Sequence, residues 1–211
     1  MKKTSKYVGL IRDRPNVVVM AGRKGSGKTQ LLVRLLRDKE GYRGVFDEVI
    51  LISPTYHLQK IWSTISKEGV TVHDSFSTDT LEQIYNDKQK NPSRKSLLIL
   101  DDNGEDLKKI NQSIFNKLIS NSRHVNLSMV VLCQKITQCP TILRAQADTF
   151  CVFSATSTRE TDQLHAEIGI LDKKTFEKVF RSATGDRYSF FCCSMIEGQL
   201  RFYKNFETEY K

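Results

Sequence analysis

Val17-Val18-Val19-Met20-Ala21-Gly22-Arg23-Lys24-Gly25-Ser26-Gly27-Lys28-Thr29-Gln30-Leu31-Leu32 opens on four apolar residues, passes through a glycine-rich octet and closes on a leucine-bearing run. The octet Gly22, Arg23, Lys24, Gly25, Ser26, Gly27, Lys28, Thr29 is a full G-x-x-x-x-G-K-[ST], the loop that joins a strand to a helix and cradles phosphate. Glycines give access to backbone conformations closed to other residues. Successive N–H groups can therefore turn inward around an anion at the positive end of the following helix. Lys28 is placed to reach the β- and γ-phosphates, the Thr29 hydroxyl to complete a magnesium shell, and Gln30 to follow on the helix. A nucleoside triphosphate with Mg²⁺ is the implied ligand.

Outward from this loop, short apolar runs recur at Val17 to Met20, Val49 to Ile52, Val70 to Val72, Leu97 to Leu100, Leu127 to Cys133 and Thr149 to Phe153. They are β-branched and lack two-residue alternation, as strands buried on both faces do. Between them, Gln30 to Arg37, Leu107 to Ser120 and Glu160 to Ile168 carry apolar residues at helical spacing. Alternating strand and helix predicts a three-layer α/β sandwich around a mainly parallel sheet with right-handed crossovers. Tyr188 to Cys193 and Gln199 to Tyr203 instead predict an antiparallel hairpin at the sheet edge. The expected organisation is one domain over residues 1–211, with a basic arm at 1–14 and the hairpin at 188–203.

Leu97-Leu98-Ile99-Leu100-Asp101-Asp102 delivers two carboxylates to the C-terminal end of a strand, where parallel sheets bind ligands. Asp101 is the expected metal-side carboxylate. Asp102 could orient or deprotonate an attacking water, and Glu105 competes for that role. Gln134, at the end of the Leu127 to Cys133 run, could sense the γ-phosphate. Arg123, in Asn121-Ser122-Arg123-His124, could be a finger supplied to a neighbour's γ-phosphate, a surface residue or a DNA contact. Trp62, within Leu58 to Ile65, reads as helix packing.

Composition narrows the classes. The chain has 211 residues, 39% of them hydrophobic and 27% charged, enough to bury a core beneath a solvated surface. No apolar run approaches the roughly 20 residues of a membrane span, and no secretory leader is expected, which points to the cytoplasm or nucleus. The five cysteines, with no C-x-x-C among them, read as buried free thiols. The four histidines show no metal-ligand spacing. The net charge of +9 is carried entirely by residues 1–44, which hold twelve Lys/Arg against three Asp/Glu, while the remainder balances at 21 of each. Such a segment can attract nucleotide, remain a solvated arm, or grip nucleic-acid phosphates without reading sequence.

GRKGSGKT after VVVM, then FDEVILISPT, LLILDD, NSRHVNLSMVVLCQ and RAQADTFCVFSAT resemble, in that order, the poxvirus-type genome-packaging ATPases of the FtsK/HerA-like branch of P-loop translocases. The resemblance implies a ring of identical subunits that hydrolyses ATP to move double-stranded DNA into a capsid. It also implies contacts with capsid or portal-vertex proteins, and residence in the host cytoplasm or viral factory with virion association. Carried over by position, Lys28 and Thr29 are the P-loop pair, Asp101 the metal carboxylate, Asp102 the base, Gln134 the sensor and Arg123 the finger into the adjacent subunit. Many family members carry a glutamate where this chain has Asp102, which keeps Glu105 open as the base. A small-molecule or nucleotide kinase, and a nucleotide-dependent assembly switch, are the alternatives from other classes.

Overall fold

The computed structural model describes residues 6–65, 69–102, 106–109, 112–155 and 157–210. Nine strands form one sheet in the order β3-β2-β4-β5-β1-β6-β7-β8-β9. The strands β1 (Val17–Ala21), β2 (Glu48–Ile52), β3 (Val70–His73), β4 (Ser96–Asp101), β5 (Leu127–Cys133) and β6 (Thr149–Val152) run parallel. Every residue of β1, β4, β5 and β6 is buried, which is why the sequence presents them as unbroken apolar runs.

Helix α1 (Lys28–Arg37) follows β1 and carries the chain across to β2, beyond β5 and β4. Its buried Leu31, Leu32, Val33 and Leu35 face a core cluster with Val18, Met20, Ile99 and Trp62. The opposite face of the sheet is covered by α2 (Thr78–Lys90), α4 (Gln112–Asn121), α5 (Thr141–Ala145), α6 (Thr158–Ile168) and α7 (Lys173–Thr184), with the short α3 (Asp106–Lys109) after β4. Local chemistry starts these helices: the side chains of Ser77, Ser157 and Asp172 accept hydrogen bonds from the first turns of α2, α6 and α7. Gly169, at φ 64°, ends α6. The three-layer arrangement expected from sequence is present.

The C-terminal end adds β7 (Phe191–Ile196), β8 (Gln199–Lys204) and β9 (Thr208–Tyr210), antiparallel to β6 and to one another. Glu197 at φ 51° and Gly198 at φ 76° make the two-residue turn between β7 and β8, the backbone that matches strand twist in a hairpin. The expected hairpin is therefore real, and β9 extends it by a third strand.

From Tyr7 onward, the segment expected as a basic arm is packed rather than solvated. Tyr7, Leu10 and Ile11 are buried, Gly9 N–H donates to the Phe206 carbonyl at 3.0 Å, and the Tyr7 hydroxyl donates to Asp38 at 2.9 Å. The Gly9 Cα lies so close to the Tyr203 ring that an added Cβ would sit 2.7 Å from it. The apolar residues interleaved with Lys6 and Arg12 explain the docking. All five cysteines are buried free thiols, as expected. Among the described residues, no helix is long and apolar enough to cross a membrane.

Candidate nucleotide site

The sheet order sets the site. β5 lies between β1 and β4, and Leu132 is level with both Met20 of β1 and Asp101 of β4. Strands sit about 4.8 Å apart, so the end of β1 and the Asp101 backbone are separated by roughly 10 Å at the same height. A cleft of about 550 Å³ fills the space above, lined by Lys24, Gly25, Lys28, Thr29, Asp101, Asp102 and Gln134 among others. Residues that lie far apart in sequence thus meet around one cavity.

Gly27 caps α1 with φ 102° and offers no side chain to its first turn, leaving the leading N–H groups for an anion. Gly22 is fixed by crowding: an added Cβ would lie 2.8 Å from Ser26 Oγ and 2.9 Å from Phe153 Cβ. Ser26 Oγ is buried without a hydrogen-bond partner among the described residues. Lys28 Nζ donates to the Gly22 carbonyl at 2.6 Å and the Arg23 carbonyl at 3.1 Å, so the loop's own carbonyls hold the ammonium over the cradle. Burial pulls its pKa below the ordinary lysine range, and the nearby Asp101 and Asp102 oppose that pull.

Asp101 is 4% exposed. Burial pushes its carboxyl above the ordinary carboxylate range, against the stabilising effect of two donors and of Lys28. Those donors were invisible in the sequence. The indole N–H of Trp62 reaches Asp101 Oδ2 at 3.1 Å. The Gln59 amide reaches the same oxygen at 3.3 Å while also donating to Thr55 Oγ1 at 2.7 Å. Trp62 does pack, as expected, but in a 3₁₀ turn over Lys60–Thr64, and its polar edge orients the carboxylate.

Asp102 follows with a left-handed backbone at φ 60°, a region Asp tolerates better than most residues. It is exposed and lines the cleft. Glu105, the competing base, lies outside the described residues. Gln134, at the end of β5, the strand between β1 and β4, is exposed in the cleft, and its backbone N–H donates to Gln138 Oε1 at 2.8 Å. Gln138 also takes the Lys135 N–H at 3.1 Å, so a second glutamine, unrecognised in the sequence, shapes the turn beneath Gln134. Arg23, Lys24 and Gln30 are exposed around the loop.

Arg123 is not part of this cleft. It precedes β5, a strand's length of about 20 Å from the end that carries Gln134. There its Nη2 bonds Asp148 Oδ1 at 2.9 Å, beside Arg14, whose Nη1 bonds the same oxygen at 2.9 Å. Asp148 is buried, and its other oxygen accepts the Val17 N–H at 3.0 Å. Any action of Arg123 on a γ-phosphate would therefore be on a neighbour's.

Thr29 and Asp101 offer a hydroxyl and a carboxylate, hard oxygen donors suited to magnesium with phosphate oxygens and water completing the shell. The desolvated Asp101 carboxylate is also where a cation would relieve the cost of burial.

The chain is similar to known proteins in sequence and in fold. The DNA packaging protein OPG160 of Variola virus is 29% identical over 148 residues, covering 66% of this chain and 53% of that protein; the Vaccinia virus (strain Western Reserve) protein gives the same values. The chain thus spans about half the length of these curated relatives. Among solved structures, the DNA-packaging ATPase B204 from Sulfolobus turreted icosahedral virus superposes with a TM-score of 0.68 at 17% identity, covering 90% of this chain and 98% of that one. The genome packaging NTPase B204 from Sulfolobus turreted icosahedral virus 2, in complex with AMPPCP, gives 0.63 at 21% identity, with 90% and 97% covered. These likenesses show a shared fold. The sequence model described as Poxvirus A32 protein matches residues 3–198, so the phosphate loop, the acidic strand end and the Gln134 strand all fall within the match, and the chain belongs to that family.

Proposed function

We propose that this chain is an ATP-hydrolysing motor that translocates double-stranded DNA into a viral capsid. The observation that carries the reading is the convergence of Lys28, Thr29, Asp101, Asp102 and Gln134 on one cleft. A phosphate cradle alone would serve binding; two carboxylates and an amide beside it add groups that can hold a metal and orient water for phosphoryl transfer. Membership of the family, and relatives named as packaging proteins, support DNA and capsid as partners.

In this reading the Gly22–Thr29 loop holds the phosphates with its backbone N–H groups, and Lys28 moves from the Gly22 and Arg23 carbonyls onto the γ-phosphate. Thr29 and Asp101 would hold Mg²⁺, which supplies charge neutralisation on the phosphate oxygens. Trp62 and Gln59 fix the face that Asp101 presents. Asp102 orients the attacking water and accepts its proton, with Glu105 the competing base, and Gln134 contacts the γ-phosphate or that water from the adjacent strand. Arg123, held by Asp148 at the N-terminal ends of the parallel strands, acts on the neighbouring subunit of a homo-oligomeric ring. The protein works in the viral factory of the host cytoplasm, in contact with capsid or portal-vertex proteins.

The test is phosphate release from ATP with and without double-stranded DNA, recorded together with assembly state. Turnover that rises with DNA and with assembly is the expected result. No hydrolysis under Mg²⁺ and DNA would remove the motor reading, and ADP formed only when a nucleoside monophosphate acceptor is present would replace it with a kinase.

A further inference from the structure

A triphosphate seated in the Gly22–Thr29 loop has two ends. Asp101 and Gln134 fix the γ end on the β4–β5 side of β1. On the other flank of β1, the side left for the end that bears the base, stand β6 and β7. On that flank, and on the α1 face of the sheet, Tyr188 lies against the loop: a Cβ added to Gly27 would sit 3.3 Å from Tyr188 Cδ1 and 3.7 Å from Phe153 Cε1.

Tyr188 is 52% exposed, although it borders a core of aromatic rings. Phe153 and Phe190 pack at 5.0 Å between centroids, and Phe190 and Phe206 at 5.1 Å. The backbone of Tyr188 is left-handed, with φ 65°. For a bulky residue this conformation is rare and costs energy, so the surrounding structure has to enforce it.

The enforcement is visible. The Asp186 N–H donates to Ser189 Oγ at 3.1 Å, and the Ser189 N–H returns to the Asp186 carbonyl at 3.1 Å. Lys204 holds the Asp186 carboxylate at 2.5 Å, and the Asn205 side chain accepts the Phe190 N–H at 3.0 Å. The Arg187 guanidinium lies 4.8 Å from the Tyr188 ring centroid. The loop thus presents an aromatic ring, with a guanidinium over one of its faces, in a fixed pose next to the phosphate cradle.

We infer that Tyr188, with Arg187, is the platform on which the base of the bound nucleotide stacks. This inference rests on the nucleotide site proposed above. It adds a subsite for a planar nucleobase, recognised by its π-face. Stacking of this kind tolerates different bases, since each has such a face.

The experiment measures binding of ATP and of inorganic tripolyphosphate, which has no base, to the full chain carrying Tyr188→Ala, Tyr188→Phe or Lys28→Ala. Tyr188→Ala should weaken ATP by about ten-fold or more, while tripolyphosphate binding shifts by less than about two-fold, and Tyr188→Phe should recover most of the loss. Unchanged ATP affinity in Tyr188→Ala, with both ligands lost in Lys28→Ala, would overturn the platform and leave the nucleotide site standing. Equal weakening of both ligands would also overturn it, by showing that Tyr188 acts only on the shape of the Gly27 loop. If the unaltered chain binds neither ligand, the nucleotide site and the platform fall together.

Discussion

Trp62→Phe isolates one hydrogen bond in a buried site. The substitution keeps an aromatic ring where Trp62 is 1% exposed and deletes the N–H that reaches Asp101 Oδ2 at 3.1 Å. A hydrogen bond to a charged group is worth roughly 1.5–3 kcal/mol, and partners that orient a metal-ligating carboxylate typically govern metal affinity or activity by about 10–100-fold. The lost ring volume should cost about 1–2 kcal/mol of stability, or several degrees in melting temperature for a chain of this size. The assay is the Mg²⁺ dependence of phosphate release at saturating ATP, with melting temperature measured alongside. The Mg²⁺ midpoint should rise by about ten-fold or more. Gln59→Leu, whose donor stands at 3.3 Å and is shared with Thr55, should give a smaller shift in the same direction. A folded Trp62→Phe protein with an unchanged Mg²⁺ midpoint and rate would refute the assignment of Trp62 as the residue that positions Asp101.

Asp172 caps α7, and its carboxyl is held below the ordinary range by hydrogen bonds from the Thr175 side chain and from the backbone N–H groups of Thr175 and Lys174. A depressed folded pKa gives stability that is present above the unfolded value of about 3.9 and lost as pH falls through the lower folded value. Asp172→Ala should therefore melt earlier than the parent at pH 7, with the difference closing as acid titrates the parent; a gap that persists unchanged at low pH would contradict this. For Arg123, mixtures of Arg123→Ala and Asp102→Asn subunits should regain hydrolysis that neither shows alone, because some interfaces would pair an intact finger with an intact base. Absence of recovery at any mixing ratio would count against action on a neighbour.

The parallel strands were legible because burial on both faces removes polar residues from them, and the site's Gly22–Thr29 loop because its backbone demands specific residue types at fixed spacing. The order of the strands was not legible, since it depends on which crossover passes which neighbour. Helix α2 escaped notice because it buries only Leu81, Ile84 and the charged Lys88 in thirteen residues, and α7 because charges fill the gaps between Phe176, Phe180 and Ala183. The run expected as one helix from Leu107 to Ser120 is described as α3 and α4, on either side of residues 110–111. Charge made residues 1–14 look like an arm; from Tyr7 onward, the interleaved Tyr7, Leu10 and Ile11 pack into the core instead.

Within the site, the residues that touch phosphate chemistry announce themselves by type, whereas their supports do not. Trp62 stands 39 positions from Asp101 and Asp148 stands 25 from Arg123, and only the fold joins them. Gln138 was local enough to find, four residues after Gln134, but nothing in a single sequence marks a glutamine as the acceptor of backbone N–H groups. Tyr188 lay inside the stretch assigned to the hairpin and drew no attention, because its left-handed backbone and its contact with Gly27 are tertiary facts.

The central claim is that Lys28 and Asp101 act on one bound triphosphate, and a double-mutant cycle on kcat/KM for ATP tests it most directly. If they share that ligand, the Lys28→Ala, Asp101→Ala double variant should lose little more than the worse single variant, because groups that act as a unit are strongly non-additive. Losses that multiply as for two independent sites would contradict the account.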